Sequence, residues 1–241
     1  MNETALNIDR LAKSYGNNMV LNDISFSINP GESVGLVGVN GAGKSTLIKC
    51  LLDFVAFKTG DIKIFDESNH AYQSRRKLAF LPEKFLPPHY LTGQSFLNYM
   101  SELYELSVSP QAIETIFKNL DLDLSALNKP VRQFSKGMAQ KLGLAACFLS
   151  DRDMFILDEP MSGLDPKASA YLKEYLLKLK STGKTIFFST HLLNDVESLC
   201  DRIIILHQGR IFFDGSTYDC CQHFGKDNLE QAYLACVTSG V

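Results

Sequence analysis

The sequence carries no excess of positive charge. Its 241 residues hold 24 Lys and Arg against 27 Asp and Glu, a net charge of −3, with a pI near 6.0. Without a basic field a chain is poorly suited to follow a phosphodiester backbone, so no nucleic-acid partner is expected. Paired cysteines are missing too. Cys50, Cys147, Cys200, Cys220, Cys221 and Cys236 form no C-x-x-C pair, and their scatter reads as reduced thiols rather than a disulfide framework. The neighbours Cys220 and Cys221 read as small hydrophobes, not as a metal or lipid-attachment site. No apolar run approaches the roughly 20 residues needed to cross a bilayer. Met1-Asn2-Glu3-Thr4-Ala5 has neither the basic start nor the apolar core of a leader. Any membrane role is therefore expected to pass through a separate partner. What is present is 45% hydrophobic content, enough for one compact unit with subdomains.

The most informative stretch is Gly38-Val39-Asn40-Gly41-Ala42-Gly43-Lys44-Ser45, a G-x-x-x-x-G-K-S run. It follows the apolar Val34-Gly35-Leu36-Val37 and leads into Thr46 to Leu52, which reads as a helix. That strand–loop–helix context is what a phosphate-binding loop of the Walker A type requires. Gly38, Gly41 and Gly43 are expected at positive φ, turning backbone N–H groups toward an anion. The following helix adds unpaired N–H groups and a positive dipole end. Lys44 should reach the β- and γ-phosphates, and the Ser45 hydroxyl should ligate Mg²⁺. A chain of this length would match the pattern by chance roughly once in a hundred cases. The flanks make chance rarer still, and the chain is expected to bind a nucleoside triphosphate through the loop from Gly38 to Thr46.

Ile24, Phe26 and Ile28 alternate with Ser25, Ser27 and Asn29, the period-2 mark of a half-buried strand. Pro30-Gly31 supplies a turn, and Asp61 to Phe65 reads as a second such strand, together suggesting an antiparallel layer. From Phe85 to about Ser150 the pattern turns helical. Phe96, Leu97, Met100 and Leu103 recur at helix spacing, Ile113, Ile116, Phe117 and Leu120 share one face of a helix from Pro110, and Ser135 should cap a helix running to Leu149. Met154 to Leu157, Thr185 to Phe188 and Ile203 to Leu206 are continuous apolar runs, as in parallel strands buried on both faces. A helix from Lys167 to Lys180 separates the first two, and His207-Gln208-Gly209 joins the third to Arg210–Phe213 as a hairpin. Residues from Ser216 onward read as one or two short helices. The fold expected is α/β: a P-loop NTPase core with a parallel sheet, a flanking antiparallel β-subdomain and an inserted helical subdomain. Residues 1–84 and 151–241 would form the core, and 85–150 the insertion.

Met154 to Leu157 ends in Asp158-Glu159. Ligands of open parallel sheets sit at the carboxyl ends of strands, so Asp158 is expected to hold Mg²⁺ opposite Ser45. Glu159 is then placed to orient or deprotonate the attacking water. His191, at the end of the strand from Thr185, is a candidate γ-phosphate sensor, although a lone histidine is more often structural. His70, His89, His207 and His223 have no comparable placement. A guanine-reading N-K-x-D is not formed by Asn128-Lys129-Pro130-Val131, which disfavours a GTPase.

Over nearly its whole length the chain resembles the ATP-binding subunit of an ATP-binding cassette (ABC) transporter. Phe134-Ser135-Lys136-Gly137-Met138-Ala139-Gln140 is similar to the family signature L-S-G-G-Q, Ser162-Gly163-Leu164-Asp165 to its D-loop, and Ser189-Thr190-His191 to its switch histidine. Tyr15 matches the aromatic residue on which adenine stacks. The resemblance implies MgATP hydrolysis in a head-to-tail dimer of cassettes, each site joining one subunit's Walker motifs to the other's signature. Ser135, Lys136, Gly137 and Met138 would then face the partner's ATP, with Asp165 in the D-loop, and His191 becomes functional. It also implies a transmembrane permease subunit docked on the helical insertion, a second cassette of the same or another chain, and a location on the cytoplasmic face of a membrane. Two motifs depart from the family pattern, the signature also carrying Phe134 in place of leucine. Lys136 and Met138 replace glycine and glutamine of the signature, and Glu83 in Phe80-Leu81-Pro82-Glu83 stands where a metal-contacting glutamine is usual. Both departures lean toward the exporter branch for drugs, antibiotics or polysaccharides. Alternatives are a soluble single-cassette ATPase outside transport and a cassette that binds ATP without hydrolysing it.

Overall fold

A computed structural model describes residues 4–238, so Met1, Asn2 and Glu3 of the segment read for a leader lie outside it. The continuous apolar runs form the inner strands of a six-stranded sheet. In chain order these are β3 (Ser33–Val37), β6 (Leu78–Leu81), β7 (Met154–Asp158), β8 (Thr185–Thr190), β9 (Arg202–His207) and β10 (Arg210–Gly215), with spatial order β10-β9-β3-β8-β7-β6. All neighbours are parallel except β10, which returns antiparallel on β9 through the expected hairpin. Every residue of β3, β7 and β8 is buried, as strands covered on both faces must be.

The alternating segments form the second sheet. β1 (Leu6–Tyr15), β2 (Asn18–Ile28), β4 (Thr59–Ile64) and the two-residue β5 (Glu67–Ser68) are ordered β2-β1-β4-β5. Leu6 pairs with Ile28 and Ile8 with Phe26, keeping the apolar set on one face. The register slips between Ile8 and Leu11, and Arg10 and Asp23 take φ of 45° and 57°. Such bulges add local twist, and the period-2 pattern gave no sign of them.

Two cores result, one on each side of the large sheet. Within β7, Met154 and Ile156 enter one core while Phe155 and Leu157 enter the other. The first of these cores is closed by the small sheet and by α1 (Lys44–Leu51), through Leu47, Ile48 and Leu51. The second is closed by α3 (Gly93–Leu103), α4 (Pro110–Asn119), α5 (Lys136–Leu149), α6 (Pro166–Ser181), α7 (Leu193–Leu199), α8 (Thr217–Phe224) and α9 (Leu229–Thr238), which follow the single-turn α2 (Tyr72–Arg75). Fully burying a side chain such as Leu47 or Phe117 contributes roughly 1.5–3 kcal/mol, and both are at 0% exposure. The helix starts match their caps: Thr92 accepts from Ser95 N–H, Ser109 from Ala112 N–H, and Ser135 from Met138 N–H. α1 begins at Lys44, two residues before the expected start. α7 was not anticipated.

This topology positions the site. Register pairs Val37 with Thr190 and Asp158 with Ser189, and Leu81 with Leu157. The carboxyl ends of four adjacent parallel strands are therefore level. The segments that follow them, starting at Gly38, Pro82, Glu159 and His191, emerge along one edge.

Candidate functional site

The phosphate loop spans Gly38 to Gly43 between β3 and α1. Gly41 and Gly43 take φ of 85° and 112°, as expected. Gly38 does not: it is a position of close approach, where a Cβ would lie 2.4 Å from the Leu206 carbonyl oxygen and 3.1 Å from Ala42 Cβ. The expectation of positive φ at Gly38 is thus corrected, because β9 runs directly against the start of the loop. No side chain caps α1, and its first turn holds no acid. Its leading N–H groups are left for an anion.

Lys44 is only 6% exposed. Its Nζ donates to the Gly38 carbonyl at 2.6 Å and lies 3.5 Å from that of Val39. It also sits 3.4 Å from Glu159 Oε1. The other carboxylate oxygen of Glu159 lies 2.9 Å from His191 Nδ1. Three side chains, one from the start of α1 and two from the ends of β7 and β8, thus form one line, Lys44–Glu159–His191. Glu159 Oε1 is buried without a hydrogen-bond partner, which leaves acceptor capacity aimed into the site. Glu159 itself has φ 51°, a left-handed backbone that an ordinary side chain adopts only when its surroundings hold it.

Ser189 provides part of that hold. Its hydroxyl accepts the Glu159 N–H at 3.0 Å and donates to Asp158 Oδ1 at 2.5 Å. Asp158 is 5% exposed, one oxygen committed to Ser189. A cavity of about 390 Å³ is lined by Val39, Asn40, Gly41, Gly43, Lys44, Ser45, Thr46, Glu83, Glu159 and Val20. Gly38 and Ala42 lie behind it and shape the loop, the Ala42 carbonyl accepting from Gly209 N–H at 3.2 Å. Tyr15 is not among the lining residues. Its half-exposed ring lies on the β1–β2 hairpin that also carries Val20, with Lys13 Nζ 4.4 Å from the ring centroid.

The signature residues stand apart from this cavity. Ser135 and Lys136 are exposed at the start of α5 and line a separate, apolar groove of about 360 Å³ with Phe85, Leu86, Pro87 and Phe134. Glu83 lines both hollows. Gly137 and Met138 are part-buried beside them. Asp165 caps α6, accepting from Ala168 N–H at 2.8 Å. Two residues were missed from sequence. Val20 is an ordinary strand residue with no distinguishing signal. Tyr233 comes from α9: burial pushes its hydroxyl up, opposed by the nearby backbone of Val39.

The donor set suits a chelated triphosphate. A buried cation, bare helix N–H groups and a glycine cradle fit polyphosphate. Among the described residues no three His, Cys, Asp or Glu side chains form a metal cage. Ser45 and Glu83 line the cavity and Asp158 directly precedes the lining Glu159; a hydroxyl with carboxylates fits Mg²⁺, which commonly takes one or two protein ligands and completes its shell with phosphate and water.

A family model described as ABC transporter matches residues 21–162. The chain belongs to that family. A cyanobacterial relative, an uncharacterized ABC transporter ATP-binding protein of Synechocystis, is 38% identical over 200 residues, 81% of this chain and 56% of the relative. This chain thus spans little more than half of that protein. The lantibiotic transport ATP-binding protein SrtF of Streptococcus pyogenes is 36% identical over 228 residues, 95% of each chain. A solved structure described as the ATP binding subunit of an ABC transporter superposes with a TM-score of 0.89 at 33% identity, covering 97% of this ABC chain and 99% of the other. The architecture is that of a P-loop NTPase carrying an antiparallel β layer.

Proposed function

We propose that the chain is the ATP-hydrolysing, energy-coupling subunit of a membrane ABC transporter. It binds MgATP in a head-to-tail dimer and drives a separate transmembrane subunit at the cytoplasmic face of the membrane. The observation that carries this reading is the Lys44–Glu159–His191 line at the mouth of the phosphate loop, with contacts of 3.4 and 2.9 Å.

The phosphate loop cradles the triphosphate with its backbone N–H groups and the N-terminus of α1. Lys44 exchanges the Gly38 carbonyl for phosphate oxygens. Ser45 and Asp158 would hold Mg²⁺, with Glu83 also lining the cavity. When bound, the ion neutralises charge shared by the β- and γ-phosphates. Glu159, pinned by Ser189 and faced by His191, orients and polarises the attacking water. Tyr15 and Val20 supply the adenine platform from the β1–β2 hairpin. Asn40 and Thr46 border the phosphates.

Ser135, Lys136, Gly137 and Met138 do not reach this cavity. Ser135 and the N-terminus of α5 point outward, ready to meet the ATP of a second cassette. Residues 1–84 with 151–241 act as the core, and 85–150 as the moving insertion. The apolar groove between Glu83–His89 and Val131–Gln140, lined by Leu86 at 80% exposure, receives the transmembrane partner. Because Glu83 lines groove and nucleotide cavity alike, the partner senses ATP through it. SrtF, a lantibiotic transport protein by name, supports the exporter branch. Steady-state phosphate release tests the assignment: Lys44→Ala should lower it roughly a hundredfold or more, whereas undiminished release overturns the ATPase.

A further inference from the structure

The first turn of α5 does more than face outward. Lys136 Nζ donates to Ser162 Oγ at 3.2 Å. Its stem crosses Gly163, where a Cβ would lie 3.0 Å from Lys136 Cδ and Cε. Gly163 sits at φ 79°, doubly unsuited to a side chain. Beside it, a Cβ on Gly137 would lie 3.0 Å from the Gly163 carbonyl oxygen. Deeper, Gln140 is buried and donates its amide to the Pro160 carbonyl at 3.2 Å. All three contacts fall on the segment from Pro160 to Gly163. That segment is a tight turn directly after Glu159, closed by Ser162 N–H to Glu159 O at 3.0 Å and by Leu164 N–H to Met161 O at 3.2 Å.

Deepening the ATPase assignment above and resting on it, we infer that Lys136 is a positioning residue, strapping the start of α5 to the Pro160–Gly163 turn and so setting the carboxylate of Glu159 in its own subunit. Lysine at the first position of a helix opposes the helix dipole, and nothing acidic stands in that turn to offset it. The lysine is held by the D-loop instead. Gln140 is the fixed end of the grip and Lys136 the exposed, releasable end. A phosphate arriving at Ser135 and Gly137 from a second subunit competes for the same ammonium, so engagement of one site loosens or tightens the turn that carries Glu159 of the other. Glycine at position 136 would leave only the Gln140 anchor and the Gly137 approach.

Two measurements on the full chain test this. Amide hydrogen exchange, which needs no turnover, should quicken about three- to tenfold at Ser162 and Leu164 in Lys136→Met. Exchange in the phosphate loop should not change. In ATP turnover, Lys136→Met should lower kcat by about the same factor with KM within about twofold, Lys136→Arg should recover most of it, and Ser162→Ala should match Lys136→Met without adding to it in the double variant. Unchanged exchange in Lys136→Met overturns the strap. A raised KM with kcat unchanged and weaker ATP-dependent dimerisation also overturns it, because Lys136 would then be a ligand of the partner's phosphate. Additive losses overturn it as well. Failure of the ATPase assignment looks different: Lys44→Ala would keep full phosphate release while the exchange result stood.

Discussion

The phosphate-loop side of the site and the signature side are built in opposite ways. On the first, Lys44, Asp158, Glu159 and Ser189 are 6%, 5%, 8% and 0% exposed, and each is held by at least one of the others or by loop carbonyls. Buried charges of this kind persist only when they are paired. On the second, Ser135 and Lys136 are exposed, and their contacts serve α5 and the turn after Glu159 rather than the nucleotide cavity. A finished half and an outward half on one chain are what the proposed head-to-tail dimer requires. The phosphate-loop half should bind alone; the signature half should matter only after association.

Three substitutions would break that comparison. Glu159→Gln has the largest expected effect: removing the carboxylate that faces Lys44 and His191 should lower kcat roughly 10²–10⁴-fold while ATP still binds. The trapped nucleotide should hold two chains together, so size exclusion with ATP should show a dimer. A variant that stays monomeric at every ATP concentration contradicts the shared site. Ser135→Arg comes next. It places a bulky cation on the cap of α5 and disturbs a helix-end contact that contributes up to about 2 kcal/mol, or about thirtyfold. Turnover should fall by that order, with monomer ATP affinity nearly intact. Weakened monomer binding would mean the two halves are not separate.

The finished half was also the more legible in sequence. Gly38–Ser45 and Asp158–Glu159 are contiguous, each prefaced by an apolar run whose burial follows from composition, and a parallel sheet brings strand ends together wherever they lie in the chain. What could not be read is contact between distant residues. Gly38 is needed because Leu206 O presses on it, a fact about β9 rather than about the loop. The 2.9 Å approach of His191 to Glu159 depends on the level register of β7 and β8. The bulges at Arg10 and Asp23 are invisible to a period-2 pattern, and α7 is too short and polar to show one. On the outward half the signature was recognisable, but Lys136 read as a departure from glycine; its bond to Ser162 appears only in three dimensions.

The smallest expected effect sharpens where the finished half ends. The motif closes at Thr46, yet the hydroxyl of Tyr233 on α9 feels the backbone of Val39, which pulls its pKa down against the rise that burial causes. The first turn of α9, at Leu229 and Glu230, shares a groove with His191 and Asp195. The C-terminal helix therefore lies near both the phosphate loop and the segment that carries His191. Tyr233→Phe keeps the ring and removes only the hydroxyl that the Val39 backbone influences. A neutral hydrogen bond contributes about 0.5–1.5 kcal/mol net, so the KM for ATP should rise about two- to tenfold with kcat little changed and the thermal midpoint within a few degrees. A variant matching wild type in KM would confine the ATP cradle to its motif. A rise of the expected size would extend the self-sufficient half to α9, making the C-terminal helices part of the nucleotide site rather than a cover on the sheet.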